Sequence, residues 1–301
     1  MLKNPDDAKF AVIDVGSNSV RMVIYDISMT PPVQIFNEKV YCALGRDLGK
    51  TGLLSPEGCL SAYQAIRDYQ HIAEAQNVSA LRVVATAAVR DAHDGNVFVT
   101  TVQELTGIDI RILNGHEEAC YAAEGVLALD AHACGVVADF GGGSLELALV
   151  HHNKIFDTAS LPIGALRVQS MGDEAEETIR TFLQEHRAMF FGQPSLYAIG
   201  GSWRALAQAY MMKIGASHEM QSYAIPMGDL VGFCERVEAM SVEDIQLQYQ
   251  LEGYRAVLAP IAAKVLRVVV QTLNPELFVT SAAGVRDGIV HEYLLSKVKK
   301  A

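Results

Sequence analysis

Two stretches of the sequence share the pattern Asp-x-Gly-x-x-Ser, one starting at Asp14 and the other at Asp139. In each copy the aspartate ends an apolar run and the serine precedes another, which predicts a β-hairpin with a glycine turn. Glycine has no Cβ to block an anion, so the N–H groups of such turns can line a phosphate-sized concavity. We therefore predict two related halves that face one phosphate ligand. The residues expected to bind it are Gly16, Ser17, Asn18, Ser19, Gly141, Gly142, Gly143 and Ser144.

The two aspartates of this pattern are candidates for metal binding. Each ends a strand that should be buried, where an unpaired carboxylate is costly unless a cation or hydrogen bonds compensate its charge. Magnesium is typically held by one or two carboxylates, with water and substrate phosphates as its other ligands. Asp14 and Asp139 facing each other across a cleft would meet this requirement. The alternative is that each aspartate accepts hydrogen bonds from its own turn.

Three glutamates near these patterns are further candidates. Glu117 and Glu118 open a predicted helix, where adjacent residues point about 100 degrees apart, so at most one should face the ligand. A carboxylate in the first turn also interacts favourably with the helix dipole. That helix-start role suits Glu117. For Glu118 the local sequence favours this role and a role at the ligand equally. Glu146 follows Ser144 by two residues, where a solvated strand glutamate is the alternative.

Cations and a third glycine turn could bind further phosphates. Arg21 and Arg90 follow small-residue turns at predicted strand ends, where a guanidinium can bind phosphate bidentately, although either could be an ordinary surface arginine. A turn followed by a helix is typical of anion contacts at helix N-termini, although a simple tight turn fits equally well. The residues of this turn are Gly200, Gly201 and Ser202.

The elements that position these residues form the same series twice. Residues 10–15, 20–27 and 33–41 read as three hairpin-type strands, followed by strands and helices in alternation, and the three-strand series begins again before the second glycine turn. This pattern predicts an α/β fold of two actin-like, ribonuclease-H-like domains with a cleft between them. We expect an N-terminal domain over residues 1–125 and a C-terminal domain over 126–284, with a final helix, 285–301, that packs back on the first.

Composition excludes several classes of protein. A net charge of -11 argues against general nucleic-acid binding, which depends on Lys and Arg neutralising phosphates. Five cysteines without a Cys-x-x-Cys pair argue against a zinc site and a disulfide framework. No apolar stretch is expected to reach the roughly 20 residues of a membrane span, and residues 1–9 lack the apolar core of a signal peptide. We expect a cytoplasmic protein without membrane partners.

Five segments resemble the exopolyphosphatase and guanosine pentaphosphate phosphohydrolase (Ppx/GppA) family of the actin-like phosphotransferase superfamily. They occur in the family's order and span nearly the whole chain. The segments are residues 13–21, 85–90, 115–119, 138–146 and 283–288.

The resemblance implies hydrolysis of a terminal phosphoanhydride bond with release of orthophosphate, assisted by Mg²⁺. It implies that Glu118 is the catalytic base, that Asp139 and Glu146 help to hold metal and water, and that Arg90 contacts phosphate. The expected activity is that of an exopolyphosphatase, with guanosine pentaphosphate (pppGpp) 5′-phosphohydrolase as the alternative. A non-catalytic sensor of nucleotide or polyphosphate and a sugar-kinase-like phosphotransferase are weaker alternatives. A homodimer is common among relatives and is left open here.

The sequence also departs from the family pattern. Leu145 stands where the family usually has Ser or Thr, which removes a hydroxyl that could contact phosphate. Longer members carry additional C-terminal helical domains that extend beyond the two-domain core. A processive grip on long polyphosphate that depends on those domains is not expected from this sequence.

Overall fold

The computed structural model describes residues 8–216 and 223–298. The chain forms two compact units, of which the first contains the chain up to Glu118 together with the residues from Ile289. The second unit is Ala119–Gly288.

The first unit is built on a five-stranded sheet. Its strands are β1 (Lys9–Val15), β2 (Ser19–Asp26), β3 (Val33–Tyr41), β4 (Ala80–Ala85) and β5 (Arg111–Ile112). Their spatial order is β3-β2-β1-β4-β5. The first three strands are antiparallel, whereas β4 and β5 run parallel to β1. This is the predicted change from hairpins to a strand-and-helix layer.

Helices cover the first sheet. They are α1 (Leu48–Thr51), α2 (Pro56–Ala75), α3 (Ala87–Asp91), α4 (Gly95–Thr106) and the start of α5 (Gly115–Leu129). Local sequence explains the start of α2, because the Ser55 side chain accepts a hydrogen bond from the Gly58 N–H at 3.4 Å and Pro56 occupies the first helical position. The buried face of α2 carries Ala62, Ile66 and Tyr69, which pack on the sheet.

The second unit is built on a six-stranded sheet. Its strands are β6 (Gly135–Phe140), β7 (Leu145–His151), β8 (Lys154–Leu161), β9 (Ser195–Ile199), β10 (Ala224–Pro226) and β11 (Leu277–Thr280). Their order is β10-β11-β9-β6-β7-β8. The strands β6, β9 and β11 run parallel, so their carboxyl ends lie along one edge of the sheet.

Helices also surround the second sheet. They are α6 (Ala165–Met171), α7 (Ala175–Phe190), α8 (Gly201–Lys213), α9 (Met227–Glu238), α10 (Val242–Tyr249), α11 (Tyr254–Leu273) and α12 (Val285–Val298), the last of which continues into the first unit. Trp203 is a core residue of the second unit. Its ring stacks on Phe140 with centroids 5.0 Å apart, and its Nε1–H donates to the Ala262 carbonyl at 3.1 Å.

Some short elements were not predicted from the sequence. The helix α3, which follows β4, is only five residues long, and β5 is only Arg111–Ile112. The helices α1, α6 and α10 are each eight residues or shorter, which is too brief for a clear helical period. Residues 217–222 lie outside the described residues, and Ala224–Pro226 after them forms a strand.

The expectation that no segment is long and apolar enough to span a membrane was also wrong. By length and composition alone, Tyr254–Leu273 meets that test within the part of the chain that the structure describes. However, 61% of its most apolar window is buried inside the protein. Its Arg267 also pairs at 2.7 Å with both Glu176 of α7 and Glu238 of α9. The helix is therefore the central core helix of the second unit.

Candidate active site

The two glycine turns have the same backbone geometry. In the first, the Gly16 N–H donates to the Ser19 carbonyl at 3.0 Å, and in the second the Gly141 N–H donates to the Ser144 carbonyl at 3.0 Å. Each turn joins two antiparallel strands, β1 to β2 and β6 to β7. The predicted pair of glycine hairpins is thus confirmed, and one N–H group of each turn is used to close it.

Each turn is supported from behind by the segment that follows the third strand, which in the second unit is the start of α6. In the first unit, the Asn18 carbonyl accepts from the Cys42 N–H at 3.0 Å and the Ser17 carbonyl accepts from the Gly45 N–H at 2.8 Å. In the second unit, the Gly141 carbonyl accepts from Ala165 at 3.0 Å. The Gly142 carbonyl likewise accepts from the Leu166 N–H, at 2.8 Å.

These hydrogen bonds orient the donors of the turns. A trans peptide plane places its C=O and N–H on opposite sides, so a carbonyl bonded to the supporting loop points the next N–H away from that loop. The N–H groups oriented in this way belong to Asn18, Ser19, Gly142 and Gly143. Successive N–H groups that point to one side form an anion-binding concavity. The geometry is thus suited to the phosphate role predicted for both turns.

The acid of the first hairpin lies opposite a cation. Asp14 and Arg21 are direct cross-strand partners in β1 and β2. The Arg21 Nε–H also donates to Asn37 Oδ1 at 2.7 Å. Opposite charges at facing positions of a sheet stabilise each other. Arg21, predicted to bind phosphate, is therefore within β2 and placed to offset the Asp14 charge.

The acid of the second hairpin lies opposite another acid. Asp139 and Glu146 are direct cross-strand partners, and Glu146 is only 2% exposed. Its Oε1 accepts a hydrogen bond from the Ser160 hydroxyl at 2.8 Å. Like charges at facing positions are destabilising, so this pair favours a bound cation.

The Asp139 and Glu146 pair fits Mg²⁺, which takes one or two carboxylates and completes its shell with water and phosphate oxygens. Within residues 8–216 and 223–298, no group of three or more His, Cys, Asp or Glu side chains is arranged to hold a metal. A magnesium ion at this pair would therefore need its other ligands from the substrate and from water. Asp14, the third predicted ligand, belongs to the first unit and faces Arg21.

Glu118 is a buried carboxylate held by an arginine. It is 7% exposed in the first turn of α5, and its Oε2 accepts a hydrogen bond from Arg90 Nη1 at 2.7 Å. The same guanidinium donates through Nε to Asp91 Oδ1 at 3.0 Å. Arg90, predicted to contact phosphate, thus lies in α3 and orients the Glu118 carboxylate.

Glu117 has a different role from its neighbour. Its Oε2 accepts from the Asn114 N–H at 2.9 Å, while the Glu117 N–H donates to Asn114 Oδ1 at 2.9 Å, which is a capping box at the start of α5. The Asn114 hydrogen bond, followed by that from Arg111, lowers the pKa of Glu117 below its ordinary value. The helix-start interpretation of Glu117 is therefore confirmed.

The third glycine turn lies against the second hairpin. Gly200 has φ of 101°, and a Cβ there would lie 2.4 Å from the Phe140 carbonyl oxygen, so only glycine fits. Ile199, the residue before it, is the parallel partner of Asp139. The structure thus places Gly200, Gly201 and Ser202 at the start of α8, beside the end of β6.

Sequence reasoning missed two arginines at this edge of the second sheet. Arg204 lies in the first turn of α8, and Arg286 lies at the start of α12, which Asp287 caps by accepting from the Gly284 N–H at 2.9 Å. Burial, and then the positive charge of Arg286, lower the pKa of the Arg204 guanidinium, while Asp139 opposes this shift. Arg286 lies in the family-like segment 283–288, and Arg204 follows the small-residue turn at Gly200, but neither arginine was assigned a role.

Leu145 does not face the acid pair. It is fully buried in the core and lies opposite Phe140, whereas alternation turns Glu146 to the other face of β7. A hydroxyl at position 145 would therefore lie in the apolar core. In this chain the Ser160 hydroxyl donates to Glu146.

A glycine turn beside paired carboxylates, as in the second unit, is typical of a phosphate-binding site in an α/β protein. The profile of the Ppx/GppA phosphatase family matches residues 6–297. The chain therefore belongs to the Ppx/GppA phosphatase family.

Solved structures show the same fold over nearly the whole chain. An exopolyphosphatase from Cytophaga hutchinsonii superposes with a TM-score of 0.86 at 19% identity, covering 96% of this chain and 98% of that one. The Ppx/GppA family member of Aquifex aeolicus gives a TM-score of 0.79 at 21% identity, with 96% and 98% covered. The predicted α/β fold is confirmed by these structures.

Proposed function

We propose that this phosphatase is an exopolyphosphatase, which releases terminal orthophosphate from inorganic polyphosphate by attack of water. The observation that carries the proposal is the buried Glu118 carboxylate, fixed at 2.7 Å by Arg90. Membership of the Ppx/GppA phosphatase family supports phosphoanhydride hydrolysis. The Cytophaga hutchinsonii neighbour is itself an exopolyphosphatase, which makes polyphosphate the first substrate to assay.

Substrate binding is assigned to the glycine turns. The N–H groups of Gly142 and Gly143 would donate to oxygens of a substrate phosphate, and those of Asn18 and Ser19 offer the same kind of donors in the first unit. These donors are held in place by the supporting loops before substrate arrives. Preorganised donors stabilise charge without reorganising during the reaction.

The acid pair is assigned to the metal. Asp139 and Glu146 would hold Mg²⁺, which when bound offsets negative charge on the phosphoryl oxygens. Ser160 keeps the Glu146 carboxylate in one orientation through its hydrogen bond.

Glu118 is assigned as the general base. Its carboxylate would orient a water molecule and accept a proton as the water oxygen bonds to the terminal phosphorus and the bridging P–O bond breaks. Arg90 fixes the plane of the carboxylate, because Nη1 donates to Oε2. The products are orthophosphate and a polyphosphate chain shorter by one phosphate.

The test compares two adjacent glutamates. Glu118→Gln removes the base and should lower kcat about 100- to 10,000-fold, whereas Glu117→Gln changes only the helix start and should retain most activity. Orthophosphate release from polyphosphate with Mg²⁺ measures both variants. Full activity of Glu118→Gln would overturn the assignment of the base.

The same assay decides the substrate. Polyphosphate and pppGpp, supplied as competing substrates at equal concentration, should show preferential cleavage of polyphosphate. Preference for pppGpp would replace the proposed substrate and leave the assigned chemistry unchanged. Tight binding of either compound without phosphate release would instead indicate a sensor.

A further inference from the structure

Arg204 is a partly buried cation that the proposed mechanism does not use. Its guanidinium carries five N–H donors. In the described ranges, 8–216 and 223–298, that group makes no hydrogen bond and no ion pair within contact distance. Because a partly desolvated guanidinium is costly when unmatched, its position calls for an anion.

The fold places Arg204 at the functional edge of the second sheet. In the parallel register, Asp139 of β6 pairs with Ile199 of β9, and Ala198 of β9 pairs with Thr280 of β11. The carboxyl ends of these three strands therefore lie side by side at one edge of the sheet. Arg204 follows the end of β9 by about one helical turn. The close approach of Gly200 to the Phe140 carbonyl fixes the start of α8 against the second hairpin.

Charges of both signs surround Arg204. Arg286 and Arg255 act on it with the same sign, and Asp139 and Asp287 act with the opposite sign. Asp139 also faces the like charge of Glu146, and Asp287 accepts the N–H of Gly284 at the start of α12. A phosphate group could engage the Arg204 guanidinium through two parallel hydrogen bonds.

We propose that Arg204 binds a phosphate group of the substrate beside the Gly200, Gly201 and Ser202 turn, as a bidentate contact that supplements the glycine hairpins. The inference rests on the proposed function for the identity of the substrate. The contact between Arg204 and phosphate can nevertheless be measured without hydrolysis of the substrate.

The experiment measures binding of inorganic tripolyphosphate to the whole protein in EDTA, by calorimetry and by thermal unfolding. Arg204→Gln should weaken binding at least tenfold and remove most of the ligand-induced rise in Tm. Arg204→Lys keeps the positive charge but loses the planar pair of N–H donors, so it should bind tripolyphosphate with intermediate affinity. Arg236→Gln, at an exposed arginine of α9, is the matched control and should bind like the unaltered protein.

Stability without ligand separates binding from a structural role. Removal of an unmatched cation should leave the Tm of the ligand-free protein unchanged or raised. A lower ligand-free Tm with unchanged tripolyphosphate affinity would show that Arg204 only neutralises Asp139, and would overturn the inference. Arg204-dependent binding of tripolyphosphate without any phosphate release by the unaltered protein in the presence of Mg²⁺ would contradict the proposed function alone. Absence of binding by the unaltered protein would overturn both.

Discussion

One hydroxyl group holds the buried carboxylate of Glu146. Ser160 is the cross-strand partner of Glu146 in β7 and β8, and its Oγ donates at 2.8 Å. Because Glu146 is shielded from water and also faces Asp139, its charge depends on the few donors within reach. Ser160 belongs to no recognisable motif, so its role is visible only in the structure.

Replacement of Ser160 by alanine should destabilise the protein. The buried carboxylate would lose a donor, which costs about 1–3 kcal/mol, and urea unfolding in EDTA at neutral pH measures the difference. Ser160→Thr retains the hydroxyl and should lose much less. Equal stability of the alanine variant and the unaltered protein would show that the hydrogen bond does not hold Glu146.

The two neighbouring glutamates show what residue-level reasoning can predict. The pattern Asn-x-x-Glu at Asn114 predicts a capping box in which Glu117 takes part, and the structure contains it. The contact of Glu118 with Arg90 joins residues 28 positions apart in sequence, and no local rule predicts it. Arg204 is missed for the same reason, since its significance comes from strands distant in sequence.

At the scale of elements, the phosphate turns depend on the loops that support them. Gly164 ends the loop before α6, and a Cβ there would lie 2.3 Å from the Ser144 nitrogen and 2.5 Å from the Gly143 nitrogen. Both are backbone atoms of the second turn, so no side-chain rotation can relieve the clash. The position of this turn is therefore set by a residue outside it.

Gly164→Ala should displace the second glycine turn. Overpacking against backbone costs about 1–3 kcal/mol, and we expect both a lower free energy of unfolding and weaker tripolyphosphate binding. Gly232→Ala in α9 is the control, since a Cβ there has no neighbour within 4 Å, and alanine should stabilise that helix by about 0.5–1 kcal/mol. Unchanged binding by Gly164→Ala would show that the turn does not need its supporting loop.

The elements that could be predicted are those with strong local signals. Alternating apolar residues around glycine turns specify both hairpins, and Ser55 followed by Pro56 specifies the start of α2. The short helices α3 and α10 were missed because fewer than three turns give no clear period. The helix α11 was misjudged because its apolar length reflects burial in the core of the second unit.

At the scale of the whole chain, both ends contribute to the first unit. Phe10 of β1 is fully buried, and its ring stacks on Tyr293 of α12 with centroids 4.1 Å apart. The first unit is therefore completed only when the C-terminal residues join it. Sequence order alone suggested a final helix that packs back, but it could not identify the residues in contact.

Tyr293→Ala should weaken the first unit selectively. Loss of the stacked ring costs about 1–3 kcal/mol, and hydrogen exchange should accelerate in β1 while β9 keeps its protection. Leu295→Ala, at a side chain that is 49% exposed, should change neither strand. Equal acceleration in both strands would show that the two units unfold together.

The facing pairs of the two hairpins also bear on how the chain evolved. Turns with the same hydrogen bond, supported by the same kind of loop, are what fusion of two copies of one ancestral half would leave. The position that faces the aspartate holds Arg21 in the first hairpin and Glu146 in the second. The first hairpin thus places a counter-charge opposite its aspartate, whereas the second places a like charge there. The second hairpin should therefore respond to added cations more strongly than the first.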